Sequence, residues 1–210
     1  MRKPNSVATF FALAVAGLAT GMPAAGQQTL TVEDLLGKLQ NRAPGAGSDT
    51  TLTTEELARL QRNRLIVEEA GRKASRGESF RVEERTRLAD ISKQPGYRSV
   101  DLEVYFEFDS AEITATAARV LVLLGQALAD SRLRGQSFLI AGHTDAKGEE
   151  EYNQRLSERR AQRIRDFLVS GFGLEAPKVI AIGYGKEELK NRRDPFAAEN
   201  RRVQIVNLTR

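Results

Sequence analysis

From residue 99 to its C-terminus, the chain alternates between strand-like and helix-like patterns, and this alternation limits the folds open to it. Strict apolar and polar alternation over 101–108 predicts a half-buried strand. Further along, the patterns predict helices at 110–130 and 150–170 and strands at 138–141, 179–182 and 202–208. Each helix has one apolar stripe that needs a cover. We therefore predict an α/β fold with the helices on one face of a single sheet, an α+β two-layer sandwich.

The region before this alternation is dense in charge and poor in apolar residues. Turn-forming residues near 44–52 predict a linker. A Thr with a Glu three residues later, at 53–56, is a capping-box pattern, and charged helical segments continue over 54–91. Such mixed charge is typical of solvated helices, a helical hairpin or a weak coiled coil. We therefore predict a charged helical region over 27–96, before the folded domain at 97–210.

The N-terminus has the three-part pattern of a secretory signal peptide. Arg2 and Lys3 precede an apolar run at 7–19, and small residues follow it. We predict that residues 1–26 are a signal peptide, removed before Gln27, which places the mature protein in the periplasm. A retained membrane anchor is the alternative, because the apolar run is only a little shorter than the ~20 residues that a membrane span needs.

Composition excludes several kinds of site. The chain has no cysteine, which excludes disulfides, thiolate metal sites, cysteine nucleophiles and a lipid on an N-terminal cysteine. The net charge of +4 is too small to indicate a nucleic-acid partner. His143 is the only histidine, and neither a zinc motif nor a nucleophile elbow accompanies it. We expect it to be a structural turn residue with a hydrogen-bonded ring, and we predict no catalytic residue, metal or cofactor.

The second long helix carries an arginine on its apolar side. At 100° per residue, Arg160 and Asn153 lie within the stripe that faces the sheet. Arginine does not lose its charge, so a buried guanidinium needs an anionic partner, either in the fold or in a ligand. The sequence leaves both possibilities open. Three neighbouring arginines are predicted to be surface charge: Arg159, Arg163 and Arg165.

Five motifs together resemble the OmpA/MotB C-terminal domain family. In chain order they are Phe-Glu-Phe-Asp-Ser-Ala at 106–111, Gly-His-Thr-Asp at 142–145, Tyr-Asn with Leu-Ser-Glu-Arg-Arg-Ala at 152–161, Gly-Tyr-Gly at 183–185, and Asn-Arg-Arg-Val at 200–203. The resemblance implies a β-α-β-α-β-β fold, a Gram-negative periplasmic or outer-membrane-associated protein, and non-covalent binding of the peptidoglycan stem peptide. It also implies that Asp145 takes the ammonium of diaminopimelate and Arg160 its carboxylate.

The chemistry of these two residues agrees with that role. The free end of diaminopimelate carries an ammonium and a carboxylate on one carbon, so it needs one fixed anion and one fixed cation close together. A guanidinium holds a carboxylate through two parallel hydrogen bonds. We expect further contacts from a surrounding group of residues: Asn153, Asp109, Ser110, Thr144, and Arg201 or Arg202. The strand period places these last two on opposite faces and does not say which faces the ligand.

Two other functions are compatible with the sequence. The charged helices over 54–91 could self-associate or dock on an envelope protein, in which case the chain would be a scaffold and wall binding would be secondary. An enzyme that acts on peptidoglycan would need a paired acid and base or a metal, and the acidic residues form no such cluster. The leading prediction is a non-catalytic module that attaches the protein to peptidoglycan.

Overall fold

A computed structural model describes residues 30–40, 52–104, 106, 107 and 109–210. The predicted signal segment and most of the predicted linker lie outside the described residues. No helix within the described ranges is both long and apolar enough to cross a membrane.

Four strands form one mixed sheet in the order β1-β4-β2-β3. They are β1 (Arg98–Leu102), β2 (Phe138–Gly142), β3 (Val179–Gly183) and β4 (Val203–Asn207). β2 and β3 are parallel, and β4 is antiparallel to both of its neighbours. The helices are α1 (Val32–Leu39), α2 (Thr54–Ser75), α3 (Val82–Lys93), α4 (Ala115–Ala129) and α5 (Glu150–Phe172). From β1 onward the order is β-α-β-α-β-β, which confirms the predicted fold class.

The first strand ends earlier than the sequence alternation predicted, at Leu102. Its partner β4 begins at Val203, which pairs with Leu102, so the ladder has no second strand beyond that point. Val104 is still buried, because the alternating apolar face continues without the ladder. The first long helix also begins later than predicted. Its start is set by Thr114, whose side chain accepts a hydrogen bond from the Ala117 N–H (3.1 Å).

Helices α1, α4 and α5 pack on one face of the sheet and form the larger core. Its buried residues include Leu36, Leu121, Leu124, Ile140, Ile164, Leu168 and Ile205. Helix α1 is also tied to β4, because the side-chain amide of Asn207 donates a hydrogen bond to the Leu39 carbonyl (2.8 Å). Part of the region predicted as charged and helical therefore contributes to the core of the sheet domain.

The charged helices α2 and α3 pack on the opposite face of the sheet. Their thin apolar stripe joins the sheet in a second buried cluster that includes Val67, Ala70, Ala74, Leu88, Ile91, Leu139, Ile180 and Val206. The stripe is thus a packing surface, and the charged side chains cover its outer side. The structure has a third layer that the sequence analysis did not predict, while the domain boundary after residue 96 stays a prediction.

Helix α2 comes closest to the sheet domain at Gly71. A Cβ atom built on Gly71 would lie 1.9 Å from the carbonyl oxygen of Pro177. Pro177 belongs to the short 3-10 turn Ala176–Lys178 that leads into β3. The backbones of helix and turn are therefore in contact, and any side chain at this position would separate them.

We expect Gly71→Ala to destabilise the protein by about 1–3 kcal/mol, because the added methyl group pushes α2 away from Pro177. Gly37→Ala is the matched control, since it also lies inside a helix but a Cβ there meets nothing within 4 Å. That control should gain about 0.5–1 kcal/mol. Urea unfolding measures both changes, and equal stability of the two variants would contradict the close packing of α2.

Candidate functional site

The two elements predicted to bind the ligand meet at one end of the sheet. β2 ends at Gly142, where a Cβ atom would lie 2.5 Å from the carbonyl oxygen of Ser157. Helix α5 therefore crosses the end of β2 in direct contact with its backbone. This contact places the inward side of α5 beside the polar turn that follows the strand.

Asp145 lies in that turn, and two neighbours hold its carboxylate by hydrogen bonds. The N–H of Thr144 donates to the Gly185 carbonyl (2.8 Å), which ties the turn to the end of β3. Asp145 Oδ1 accepts a hydrogen bond from the Lys147 N–H (3.1 Å), and Oδ2 pairs with Arg201 Nη1 (2.7 Å). The side chain of Asp145 is 14% exposed. Its carboxylate is thus fixed in position and still reaches the surface.

Arg160 faces the sheet side of α5 and is half-buried. Its Nε donates to the Ser110 carbonyl (2.9 Å) and its Nη2 to the Glu107 carbonyl (3.3 Å), while Cζ lies 4.8 Å from the centre of the Phe106 ring. Burial lowers the pKa of Arg160, but a guanidinium stays charged in proteins. Among the residues that the structure describes, no Asp or Glu lies within 4 Å of it. The sequence left two anionic partners possible for Arg160, one within the fold and one in a ligand. In the described part of the chain, the partner within the fold is absent.

A narrow cleft of about 20 Å³ has both Arg160 and Arg201 in its lining. Asp145 joins this group through its ion pair with Arg201. Two of the five N–H donors of Arg160 are used by described residues, so donors remain for an anion. The cleft is too small to enclose a ligand, so a bound group would lie across its mouth. The arrangement suits a ligand with a carboxylate and an ammonium close together.

Asp109 and Ser110 form the rim of the site on the other side of Arg160. Asp109 has a left-handed backbone (φ +51°), a conformation that Asp adopts more readily than most residues. Its Oδ1 accepts hydrogen bonds from the Tyr152 hydroxyl (2.7 Å) and from Arg159 Nη2 (3.5 Å). This turn presents the Ser110 carbonyl to Arg160. Tyr152 had no predicted role, although it lies in one of the motifs.

Asn153 and Thr144 are buried and hold the turn from within. Asn153 is 3% exposed, and its Nδ2 donates to the Lys147 carbonyl (2.8 Å). The Thr144 hydroxyl donates to the carbonyl of Asp145 (2.9 Å). These hydrogen bonds shape the loop that carries Asp145, so both residues act on the position of the carboxylate.

Arg201 and Arg202 face opposite sides of the sheet. Arg201 reaches Asp145, whereas the Arg202 guanidinium lies beside Asp101 (3.4 Å) and the Glu188 carbonyl (3.3 and 3.4 Å). Asp101 is on the face covered by α2 and α3. The structure therefore groups the side chain of Arg201 with Asp145. Arg202 also lines the cleft, but its guanidinium makes its contacts on the other face of the sheet.

His143 points to the same far side as Arg202. Its ring is buried and stacks on Tyr184, with 5.6 Å between ring centres. Burial lowers its pKa to about 3, so the ring is neutral at physiological pH. Neither ring nitrogen has a hydrogen-bond partner among the described residues. The expected hydrogen-bonded ring is therefore not found there, and stacking holds the imidazole in place.

Arg165 was predicted to be surface charge, together with Arg159 and Arg163, and for Arg165 this prediction is wrong. It is 6% exposed, and it donates through Nε to the Val179 carbonyl (2.7 Å) and through Nη2 to the Ala176 carbonyl (3.0 Å). β3 is an edge strand, and Arg165 satisfies one of its outer carbonyls. Arg163 is exposed, as predicted.

Replacing Arg165 by Met should destabilise the protein by about 1–3 kcal/mol or more, because the buried Val179 carbonyl and the partly buried Ala176 carbonyl both lose their donor. Arg163→Met is the control at a neighbouring exposed position of the same helix, and it should change stability by less than about 0.5 kcal/mol. Thermal and urea unfolding of the two variants give the comparison. Similar losses in both would show that Arg165 is surface charge after all.

Residues 105–202 match the family model described as the OmpA family. Outer membrane porin F of Pseudomonas aeruginosa is 36% identical over 107 residues, which cover 50% of this chain and 30% of that protein. The peptidoglycan-associated lipoprotein of the same species is 36% identical over 103 residues, covering 48% of this chain and 59% of that protein. The peptidoglycan-associated lipoprotein of Pseudomonas putida is 30% identical over 117 residues, covering 55% of this chain and 68% of that protein. The chain thus spans less than two thirds of the first two relatives.

Proposed function

The chain belongs to the OmpA family, and from this premise we propose that its C-terminal domain binds peptidoglycan non-covalently through the diaminopimelate of the stem peptide. This binding attaches the protein to the cell wall. The observation that carries the proposal is the half-buried Arg160, whose described partners are two carbonyls and an aromatic ring. A cation in such a place is favourable when an anionic ligand completes its surroundings.

The relatives support both the ligand and the location. Two of them are named as peptidoglycan-associated lipoproteins and one as an outer membrane porin. These names agree with the predicted periplasmic or outer-membrane-associated location. The matched region contains both proposed contact residues, Asp145 and Arg160.

The local charge favours the carboxylate of the ligand over its ammonium. Asp145 contributes one negative charge, and Arg160 and Arg201 contribute two positive charges, so the site has a net charge of +1. Arg160 uses its remaining N–H donors to hold the carboxylate, and each charge-assisted bond of this kind contributes about 1.5–3 kcal/mol. Asp145 accepts hydrogen bonds from the ammonium through the lone pairs that its bonds with Arg201 and the Lys147 N–H leave free.

Arg201 has a positioning role in this proposal. Its ion pair with Asp145 holds the carboxylate in one orientation before the ligand arrives. A fixed carboxylate loses less conformational freedom on binding, which favours affinity. The ligand ammonium then shares Asp145 with Arg201 instead of replacing it.

The module is proposed to be non-catalytic. Hydrolysis of a glycosidic bond needs two carboxyl groups on opposite sides of that bond. The cleft contains no carboxylate in its lining, and Asp145 beside it is paired with Arg201. Purified sacculi incubated with the protein should therefore sediment with it, and no soluble fragments should be released.

The scaffold alternative has less support from the structure. The apolar stripe of α2 and α3, which would join a partner helix, is buried against the sheet. Exposed large apolar side chains on these helices are separate from each other: Leu57, Leu65 and Val82. Self-association through 54–91 is therefore not part of the proposal.

Replacing Arg160 by Ala should lower the affinity for sacculi by about 100-fold or more, because two charge-assisted bonds to the carboxylate are lost. Arg160→Lys should also bind poorly, since an ammonium lacks the planar fork of the guanidinium. Asp145→Asn keeps the size and removes the charge, and we expect a smaller loss of roughly ten-fold. Binding is measured from the protein in pellet and supernatant across a range of sacculus concentrations.

Arg163→Ala is the matched control, because Arg163 is an exposed arginine of the same helix. It should bind like the parent protein, and circular dichroism should show that all variants are folded. Sacculi with lysine in place of diaminopimelate lack the carboxylate and should bind weakly even to the parent. Parent-like binding by folded Arg160 and Asp145 variants would reject this site.

A further inference from the structure

A second polar cavity lies behind the turn that carries Asp145, between the end of α3 and the sheet. It measures about 490 Å³. Its lining includes His143, Tyr184, Arg202, Lys93, Ser92 and Ser99. The wall formed by α3 and β1 lies outside the region that matches the OmpA family, residues 105–202. The cavity is thus completed by the N-terminal part of this chain.

His143 lines this cavity with unsatisfied hydrogen-bonding groups. It is 5% exposed, and neither Nδ1 nor Nε2 has a hydrogen-bond partner within the described ranges. The backbone of Glu188 lies near enough to the imidazole to raise its pKa as a weak hydrogen-bond acceptor, but the contact does not have the geometry of an ordinary hydrogen bond. A buried polar group without a partner costs free energy, so an unpaired imidazole beside a cavity points to a bound group.

Arg202 lines the same cavity, and its contacts are long. It is 9% exposed, yet its bonds to Asp101 Oδ1 and to the Glu188 carbonyl measure 3.3–3.4 Å. Charge-assisted hydrogen bonds normally measure about 2.7–2.9 Å. The guanidinium is therefore buried without a close acceptor among the described residues.

The charges around the cavity add up to a positive value. Lys93 pairs with Glu188 (2.7 Å), and Lys190 pairs with Asp101 (2.9 Å), which Arg202 also contacts. The charged residues in the lining itself are Lys93, Arg202 and Glu188, so two cations against one carboxylate leave the lining with a net charge of +1. The neutral His143 adds a hydrogen-bond donor to this set.

We propose that this cavity binds a small oxyanion, a carboxylate or phosphate group, between Arg202 and His143. The guanidinium and the imidazole N–H donate to its oxygens, and Lys93 stands at the open side, where its side chain is 54% exposed. The anion gives His143 an acceptor of ordinary geometry, and it gives Arg202 a closer acceptor than Asp101 or the Glu188 carbonyl. Ordered water would satisfy the imidazole, but it would leave the net positive charge of the cavity lining in place.

The proposal is tested with the unmodified full-length chain, in which His143 is the only histidine and so gives one set of imidazole NMR signals. Inorganic phosphate and acetate are titrated separately at constant pH and ionic strength. We expect the His143 signals to shift and saturate, with dissociation constants in the range of ~1 mM. Saturation with only one of the two identifies the preferred oxyanion. Signals that do not move, or that drift without saturating, would overturn the proposal and indicate a water-filled cavity.

Arg202→Gln should raise the dissociation constant for the anion by ten-fold or more, whereas Arg201→Gln should change it by less than two-fold. The two arginines are adjacent in sequence and face opposite sides, so they form a matched pair. If Arg202→Gln does not fold, Lys93→Gln replaces it and should weaken binding several-fold. Equal anion binding by the parent and all three variants would overturn the site. The readout is independent of peptidoglycan, so its failure does not bear on the wall-binding proposal.

Discussion

The parallel strands β2 and β3 are buried at every position, and the rest of the structure depends on covering both of their faces. Strands of this kind contain almost only apolar or small residues, because alternate side chains enter different cores. Helices α4 and α5 cover one face, and α2 and α3 cover the other. The charged helices thus cover one face of the sheet. A narrow apolar stripe is enough for this packing, because the sheet supplies the wider apolar surface.

Coverage from both sides also fixes the segment where the proposed ligand site lies. The turn after β2 has α5 against its front and the end of α3 behind it, with Asp145 directed to one side and His143 to the other. The segment before β4 repeats this division, with Arg201 in front and Arg202 behind. Arg201 and Arg202 are adjacent, and the strand period places them on opposite faces. His143 and Asp145 are two residues apart, and the turn that follows Gly142 separates their directions.

Much of this could be predicted from periodicity. The inward position of Arg160 and Asn153 follows from helical spacing, and the opposite orientation of Arg201 and Arg202 follows from the two-residue repeat of a strand. The third layer was not predicted, although the apolar runs of β2 and β3 indicate it, because the dense charge of α2 and α3 is typical of solvated helices. Arg165 could not be assigned, since its partners Ala176 and Val179 are carbonyls in a different element, and no side-chain pattern marks them.

Arg160 and Arg165 lie on the same helix, α5, but one is a candidate binding residue and the other has a structural role. Both donate to carbonyls, but Arg165 makes bonds of 2.7 and 3.0 Å and is almost fully buried. Arg160 makes one bond of 2.9 Å and one of 3.3 Å, and it borders a cleft. Arg165 also has a carboxylate nearby, with Asp166 Oδ1 3.5 Å from its Nη1, so its charge has a partner within the protein. Arg160 is held by Ser110 and Phe106 in one orientation while donors stay free, which is the state that favours binding, because little freedom is lost when the carboxylate arrives. Incomplete satisfaction of a fixed, partly exposed charge is therefore the feature that makes Arg160, and not Arg165, the candidate binding residue.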